Sequence, residues 1–279
     1  MYRVKIYHLG ETNEYEYCYR GNYGARGEKR VKKAKVTSEY QAKLNQKHKE
    51  KYMRRLIRLN FKEGDLWVTL KYPAGKRPSI KEVQKDRAEF ARRMRKTYKA
   101  AGVPFKFVYR IEIGKKGGIH LHFIINNPSG TDAQEEIRKA WSFGHVNFEF
   151  MYKEGDFEAL AEYITKPAES DTGQMYFEGM GMEDKKAFMR YGSSRNLERP
   201  VPEVREYSHW TMRRILTEEG IKPSEGFYIE KDSIRQGINP YTGYSYLYYT
   251  ERRLRWEESP FTSKHPPRSD GSRPVPMCT

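Results

Sequence analysis

The residues with the clearest chemistry stand in two places. In the first, His120-Leu121-His122 sets two imidazoles one residue apart, with Glu112 just upstream. Side chains alternate along a strand, so His120 and His122 point to one face. Two imidazoles and a carboxylate form a mixed nitrogen and oxygen donor set. It suits Mg2+ or Mn2+ beside a phosphate and does not exclude other divalent ions. In the second place, Tyr163 and Lys166 lie three apart in Tyr163-Ile164-Thr165-Lys166, and on a helix that spacing shares a neighbouring face. A phenol with an ordinary pKa near about 10 is a poor nucleophile at neutral pH. A nearby ammonium favours the phenolate and balances charge building on a phosphate. A cation that polarises a phosphodiester and a tyrosine that attacks it together describe an enzyme that cuts a strand by joining itself to it.

The elements that must position these groups are legible around them. If Lys115-Lys116-Gly117 is a three-residue loop, Gly114 pairs with Gly118 and Glu112 falls opposite His120. Such loops favour a left-handed third residue, and Gly117 fills that place. A two-residue loop would set Glu112 opposite Leu121, on the wrong face. Tyr109, Ile111, Ile113, Ile119, Leu121, Phe123 and Ile125 then make one apolar face, and Arg110, Glu112, His120 and His122 the other. His145 is read as structural, and His8, His48, His209 and His265 have no evident partners.

Around this hairpin, Leu66 to Tyr72 reads as a strand. Ser79 with Glu82 is a capping box for a helix that runs to about Ala101, where Gly102 ends it. Strands follow over Phe105 to Ile113 and Gly118 to Asn127. Thr131 caps a helix through Trp141, a strand runs from Gly144 to Phe150, and Asp156 caps a helix that Pro167 stops beyond Lys166. The order strand, helix, strand, strand, helix, strand, helix predicts an α+β fold, a central, mainly antiparallel sheet with helices on one side. A small C-terminal α+β region is expected after it, with a short helix at Tyr207 to Glu219 and a tyrosine-rich strand pair around Asn239 to Gly243.

Composition points to the partner. The 279 residues carry 53 Lys and Arg against 37 Asp and Glu, a net charge of +16. Such an excess suits a polyanion, because neutralised phosphates release their counterions. Residues 1–60 hold sixteen basic and six acidic residues, so the excess is concentrated there. Tyr40 to Asn60 reads as a basic helix with a narrow apolar stripe, and it serves either as a DNA contact or as packing for the next domain. Most of the 22 tyrosines read as half-buried strand residues. Cys18 and Cys278 form no disulfide or metal pattern, no leader is legible, and no apolar run is long enough to span a membrane. A soluble, cytoplasmic protein is expected.

With these motifs in view, the chain resembles the rolling-circle replication initiators (Rep) of the HUH endonuclease superfamily, as found in plasmids and single-stranded DNA phages. Leu66-Trp67-Val68-Thr69-Leu70-Lys71-Tyr72 resembles the family's first motif, His120-Leu121-His122 its His-hydrophobic-His motif, and Tyr163-Ile164-Thr165-Lys166 its Tyr-x-x-Lys motif. Relaxases place the tyrosine before the histidines, so the order here favours Rep. Ala159 and Pro167 stand where a second tyrosine would be, as in the single-tyrosine class. The resemblance implies site-specific nicking of one strand at a replication origin, a 5′-phosphotyrosine link, a free 3′-hydroxyl, and rejoining by the reverse step. Tyr163 and Lys166 would be catalytic, and Glu112, His120 and His122 would hold Mn2+ or Mg2+. No G-x-x-x-x-G-K-[ST] loop is present, so a host helicase is expected alongside a polymerase.

Four segments are expected: a basic arm over 1–63 that holds duplex DNA, the endonuclease over 64–168, an extension over 169–257 and a disordered tail over 258–279. Two rival readings stand beside the initiator. One is a single-tyrosine HUH transposase, which shares the motifs. The other is a non-catalytic module for single-stranded nucleic acid, which would have no use for the metal and tyrosine set.

Overall fold

The computed structural model describes residues 1–20, 39–114, 118–130, 132–151, 157–166, 191–217, 219–239 and 243–254. Along the chain run β1 (Tyr2–His8), β2 (Thr12–Tyr19), α1 (Glu39–Asn60), β3 (Leu66–Lys71), α2 (Ile80–Ala100), β4 (Phe107–Ile113), β5 (Ile119–Ile125) and α3 (Ala133–Ala140). There follow β6 (His145–Phe150), α4 (Glu158–Thr165), β7 (Tyr191–Ser193), β8 (Glu203–Tyr207), α5 (His209–Thr217), β9 (Phe227–Ile229), β10 (Arg235–Ile238) and β11 (Ser245–Arg253). They form two compact units, one from residues 27–201 and one that joins both ends of the chain, 1–26 and 202–279. The expected hairpin loop at 115–117, the caps at Thr131 and Asp156, the stop at Pro167, the turn residues 240–242 and the tail all lie outside the described residues.

The unit of residues 27–201 is built on a five-stranded antiparallel sheet in the order β6-β3-β5-β4-β7, which puts the histidine strand β5 in the middle. Period-two alternation sorts its side chains. Leu66, Val68 and Leu70 of β3, Tyr109, Ile111 and Ile113 of β4, and Ile119, Leu121 and Phe123 of β5 are buried in one cluster. α2 and α3 close over that face with Phe90, Met94, Tyr98 and Ile137. At about 25 cal/mol per Å2 of apolar surface, each such side chain adds roughly 1.5–3 kcal/mol. α2 starts where the sequence places it: Ser79 accepts from the Glu82 backbone N–H, and the Glu82 carboxylate accepts from the Ser79 N–H at 2.7 Å. Gly102, at φ 71°, lets the chain leave the helix by a left-handed turn.

Helices cover both faces of this sheet, not one. On the second face Val108 and Ile124 are fully buried beneath Met53, Leu56 and Ile57 of α1 and Ala161 and Ile164 of α4. The polar stripe Arg110, Glu112, His120 and His122 occupies only part of its face, and the apolar remainder needs cover. α1 therefore belongs to the core, the packing alternative for the Tyr40 to Asn60 helix. Its buried stripe recurs at helical spacing, while Lys43, Lys47 and Lys49 stay exposed.

The second unit corrects the expected organisation of the chain ends. β1 and β2 sit in the middle of a six-stranded sheet, with β8 beside β1 and β11 beside β2, and with β9 and β10 pairing β11. Residues 1–63 are thus no separate arm, and 169–257 no separate extension: the two ends share one sheet. Tyr2, Val4, Ile6, Tyr17, Leu247 and Tyr249 are buried there with Met212 of α5. Tyr15 stacks on Tyr249 at 4.6 Å and 9°. These tyrosines are core residues of strands, where a flat ring with a polar tip suits a pleated, partly wet face. No helix among the described residues is long and apolar enough to cross a membrane.

Candidate active site

β4 and β5 pair in the register expected from a three-residue loop. Glu112 is opposite His120, Arg110 is opposite His122, and the Gly114 N–H donates to the Gly118 carbonyl at 2.8 Å. On the other side of β5, Thr69 is opposite His122 and Lys71 opposite His120. All six side chains share one face, because each strand's pair is two residues apart and residues opposite one another across the ladder point the same way.

α4 brings Tyr163 over this face. The Tyr163 hydroxyl donates to the Glu112 carboxylate and lies 3.0 Å from His122 Nε2. His122 Nε2 is also 3.0 Å from the Glu112 carboxylate, so phenol, imidazole and carboxylate meet at one point. The other ring nitrogen, Nδ1, hydrogen-bonds Thr69 Oγ1 at 3.1 Å, which sets the orientation of the ring. The Trp67 ring stacks on the His122 ring at 5.3 Å and 12° and meets Tyr163 edge-on at 5.7 Å. His122 is 8 % exposed, held by partners on every side.

α4 itself is fastened at its C-terminal end. Arg110 is 1 % exposed, and its Nη1 donates to the carbonyls of Ile164 at 3.0 Å and Lys166 at 2.8 Å. Those carbonyls are the acceptors a helix end leaves unsatisfied, and a cation also suits the negative pole there. The same guanidinium stands 5.6 Å from the centroid of the Tyr163 ring. α1 adds a second tie, as Gln46 Nε2 donates to the Thr165 carbonyl at 2.9 Å.

The electrostatics follow from this packing. Burial opposes ionisation of Glu112, but hydrogen bonds from His122 and Tyr163, with the fields of His122 and Arg110, outweigh it and hold the carboxyl at about 2. Burial, then His122 and Lys71, push the His120 imidazole below its usual range, against the pull of Glu112. Its neutral form is favoured.

The expected site residues are brought together unequally. Glu112, His122 and Tyr163 converge. His120 is on the same face, its ring centroid 6.0 Å from that of His122, with its ring edge towards the backbone of Gly114 and Gly118. Lys166 closes α4 with its carbonyl on Arg110. The donor types and the register suit a divalent cation, and Glu112 with His122 already presents two donors. Among the described residues, no three His, Cys, Asp or Glu side chains are gathered as they stand to hold one.

Three contributors escaped the sequence reading: Thr69, Trp67 and the anchoring role of Arg110. Thr69 and Trp67 stand in the first motif, and parity alone places them on the histidine face once β3 pairs with β5. An arginine on a strand otherwise buried is the signal for Arg110, since a buried cation needs acceptors nearby.

Residues 65–168, from the start of β3 to just beyond α4, match the family model of the replication-associated protein ORF2. Thr69, Arg110, Glu112, His120, His122, Tyr163 and Lys166 all lie within that span. No curated protein and no solved structure matches the chain. The match supports a part in replication for the unit that holds Tyr163.

Proposed function

We propose that this chain is a rolling-circle replication initiator of the HUH type that nicks and rejoins one DNA strand at an origin through Tyr163. The observation that carries the proposal is the Tyr163 hydroxyl, brought by a helix to the one polar stripe of a buried sheet and set against Glu112 and His122. A tyrosine needed only for packing would not require a carboxylate and an imidazole at its hydroxyl.

In this reading Tyr163 Oη attacks phosphorus as the bond from phosphorus to the 3′-oxygen breaks. The phenol gives up its proton and the leaving oxygen gains one, so charge balances. The products are a 5′-phosphotyrosine and a free 3′-hydroxyl, and rejoining runs the step backwards. Glu112, His120 and His122 would hold Mn2+ or Mg2+, which supplies polarisation of the scissile phosphate and neutralises its developing charge. For that, His122 would give up the Nε2 proton it shares with Glu112 and keep the one on Nδ1, donated to Thr69, which would leave Nε2 as the lone pair on the polar side. Arg110 and Lys166 supply positive charge at the tyrosine end, Arg110 while anchoring α4. The exposed side of α1, with Lys43, Lys47 and Lys49, is the part of the N-terminal region suited to duplex phosphates. Helicase and polymerase come from the host.

The test is incubation with single-stranded origin-region DNA and Mn2+, followed by a denaturing gel. A covalent adduct is expected from the native chain and none from Tyr163→Phe, with strand binding kept. An adduct that survives the substitution and maps to another tyrosine would remove the assignment.

A further inference from the structure

On the opposite face of the five-stranded sheet lies a groove of about 660 Å3 between α2 and the segment that follows β7. Its floor includes Phe107 and Tyr109 of β4, which have the parity of Ile111, away from Arg110 and Glu112. Arg87 and Arg95 come from α2, Arg195 comes from the far wall, and among the described residues no carboxylate lines the groove. α2 pairs its other arginines, Arg92 and Arg93, with Glu89 at 2.7 and 2.9 Å. Arg87, Arg95 and Arg195 are in no ion pair among the described residues. Among the described residues, three guanidiniums share one concavity without a counter-charge, an arrangement that repels itself until an anion enters.

The spacing says what kind of anion. Arg87 lies 4.5 Å from the centroid of the Tyr109 ring and Arg95 5.7 Å from that of Phe107. Arg87 and Arg95 are eight residues apart on α2, so the two cations are anchored about 12 Å apart along the helix. One phosphate cannot sit on both anchors, whereas phosphates along one strand can. The rings are covered by the guanidiniums and nearly buried, which leaves charge rather than base stacking as the means of contact. Gly192 keeps the far wall close, since a Cβ there would come within 2.8 Å of the Tyr109 ring.

We propose that this groove takes the phosphate backbone of a single DNA strand on the side of the sheet away from the nuclease chemistry. The proposal rests on the nickase reading for the identity of the polyanion. A concavity between a helix and a strand edge admits one backbone and not the body of a duplex. The strand would be held by arginines that take no part in cutting, so affinity and chemistry are separable.

The experiment uses the full chain, a single-stranded oligonucleotide that reaches beyond the nuclease face, and a duplex of the same length. Dissociation constants are measured by fluorescence anisotropy over a range of salt. Arg87→Gln with Arg95→Gln and Arg195→Gln should weaken strand binding about tenfold or more. It should also flatten the salt dependence by about 0.7 in log–log slope per lost phosphate contact. Adduct formation on a short oligonucleotide that covers only the cut site should stay at the native level. Arg195→Gln alone, which removes no ring contact, should move the slope in the same direction. An unchanged slope in the triple variant overturns the proposal, and so does a loss confined to duplex DNA or to variants whose melting temperature falls. A native chain that binds the strand through these arginines but forms no adduct would remove the nickase reading and leave the groove. An adduct with an unchanged slope would do the reverse.

Discussion

Leu121 and His122 are neighbours on one central strand, and both are withdrawn from solvent, at 0 % and 8 % exposure. They nevertheless belong to different chemistry. Leu121 lies among the apolar side chains that α2 and α3 cover, while His122 has Thr69, Glu112, Tyr163 and Trp67 around it. Burial does not separate the structural face of this sheet from the chemical one. Parity along the strand and the partner across the register do. The lesson extends to Arg110, 1 % exposed, whose acceptors are the end of the helix that carries Tyr163.

The comparison breaks most sharply at Tyr163. Tyr163→Phe should remove the covalent adduct to below detection and cost stability only about 1 kcal/mol, the worth of one hydrogen bond. A denaturing gel beside a thermal melt reads both. Next comes the cation. Chelation, or His122→Ala in Mn2+, should lower nicking by about 100-fold or more, and calorimetric titration of Mn2+ should lose its binding heat in the variant. Undiminished nicking in excess chelator would assign the chemistry elsewhere.

The opposite pattern is expected one residue away. Leu121→Ala should cost about 2–5 kcal/mol through the cavity it leaves, read as a lower urea midpoint. The fraction that stays folded should nick at the native rate. If that folded fraction is inactive, the two faces are not independent. The smallest effect sharpens the line between them: Thr69→Val keeps the volume of the side chain but removes the bond to His122 Nδ1. Nicking should fall about tenfold, as for other groups that orient a ligand, with about 1–2 kcal/mol lost from the unpaired ring nitrogen. Kinetics with the metal saturating should separate a loss of rate from a loss of metal affinity.

Much of the unit of residues 27–201 was legible because its signals are local. The Ser79 capping box, the Gly102 stop and the alternation of β3, β4 and β5 act within a few residues of themselves. The hairpin register followed from loop length and parity. The second sheet was not legible for the opposite reason. β1 and β2 pair with strands about two hundred residues away, such as Val4 with Arg205 and Tyr17 with Leu247. The alternating tyrosines and acids of β2 lack the apolar face by which a strand declares itself, and the face that Tyr2, Val4 and Ile6 give β1 does not say which strand will pair with it.

What the sequence alone determined about this protein is which residues share a face: Glu112, His120 and His122 fall on one side of a hairpin, and Tyr163 stands on a later helix, which ends one residue before Lys166. Local periodicity is enough for that. Only the tertiary structure decided that Tyr163 lands on Glu112 and His122, that Arg110 and α1 fasten the helix that carries it, and that helices close both faces. Those outcomes depend on side chains about forty to more than a hundred residues apart meeting in one core, and spacing along the chain does not encode such meetings.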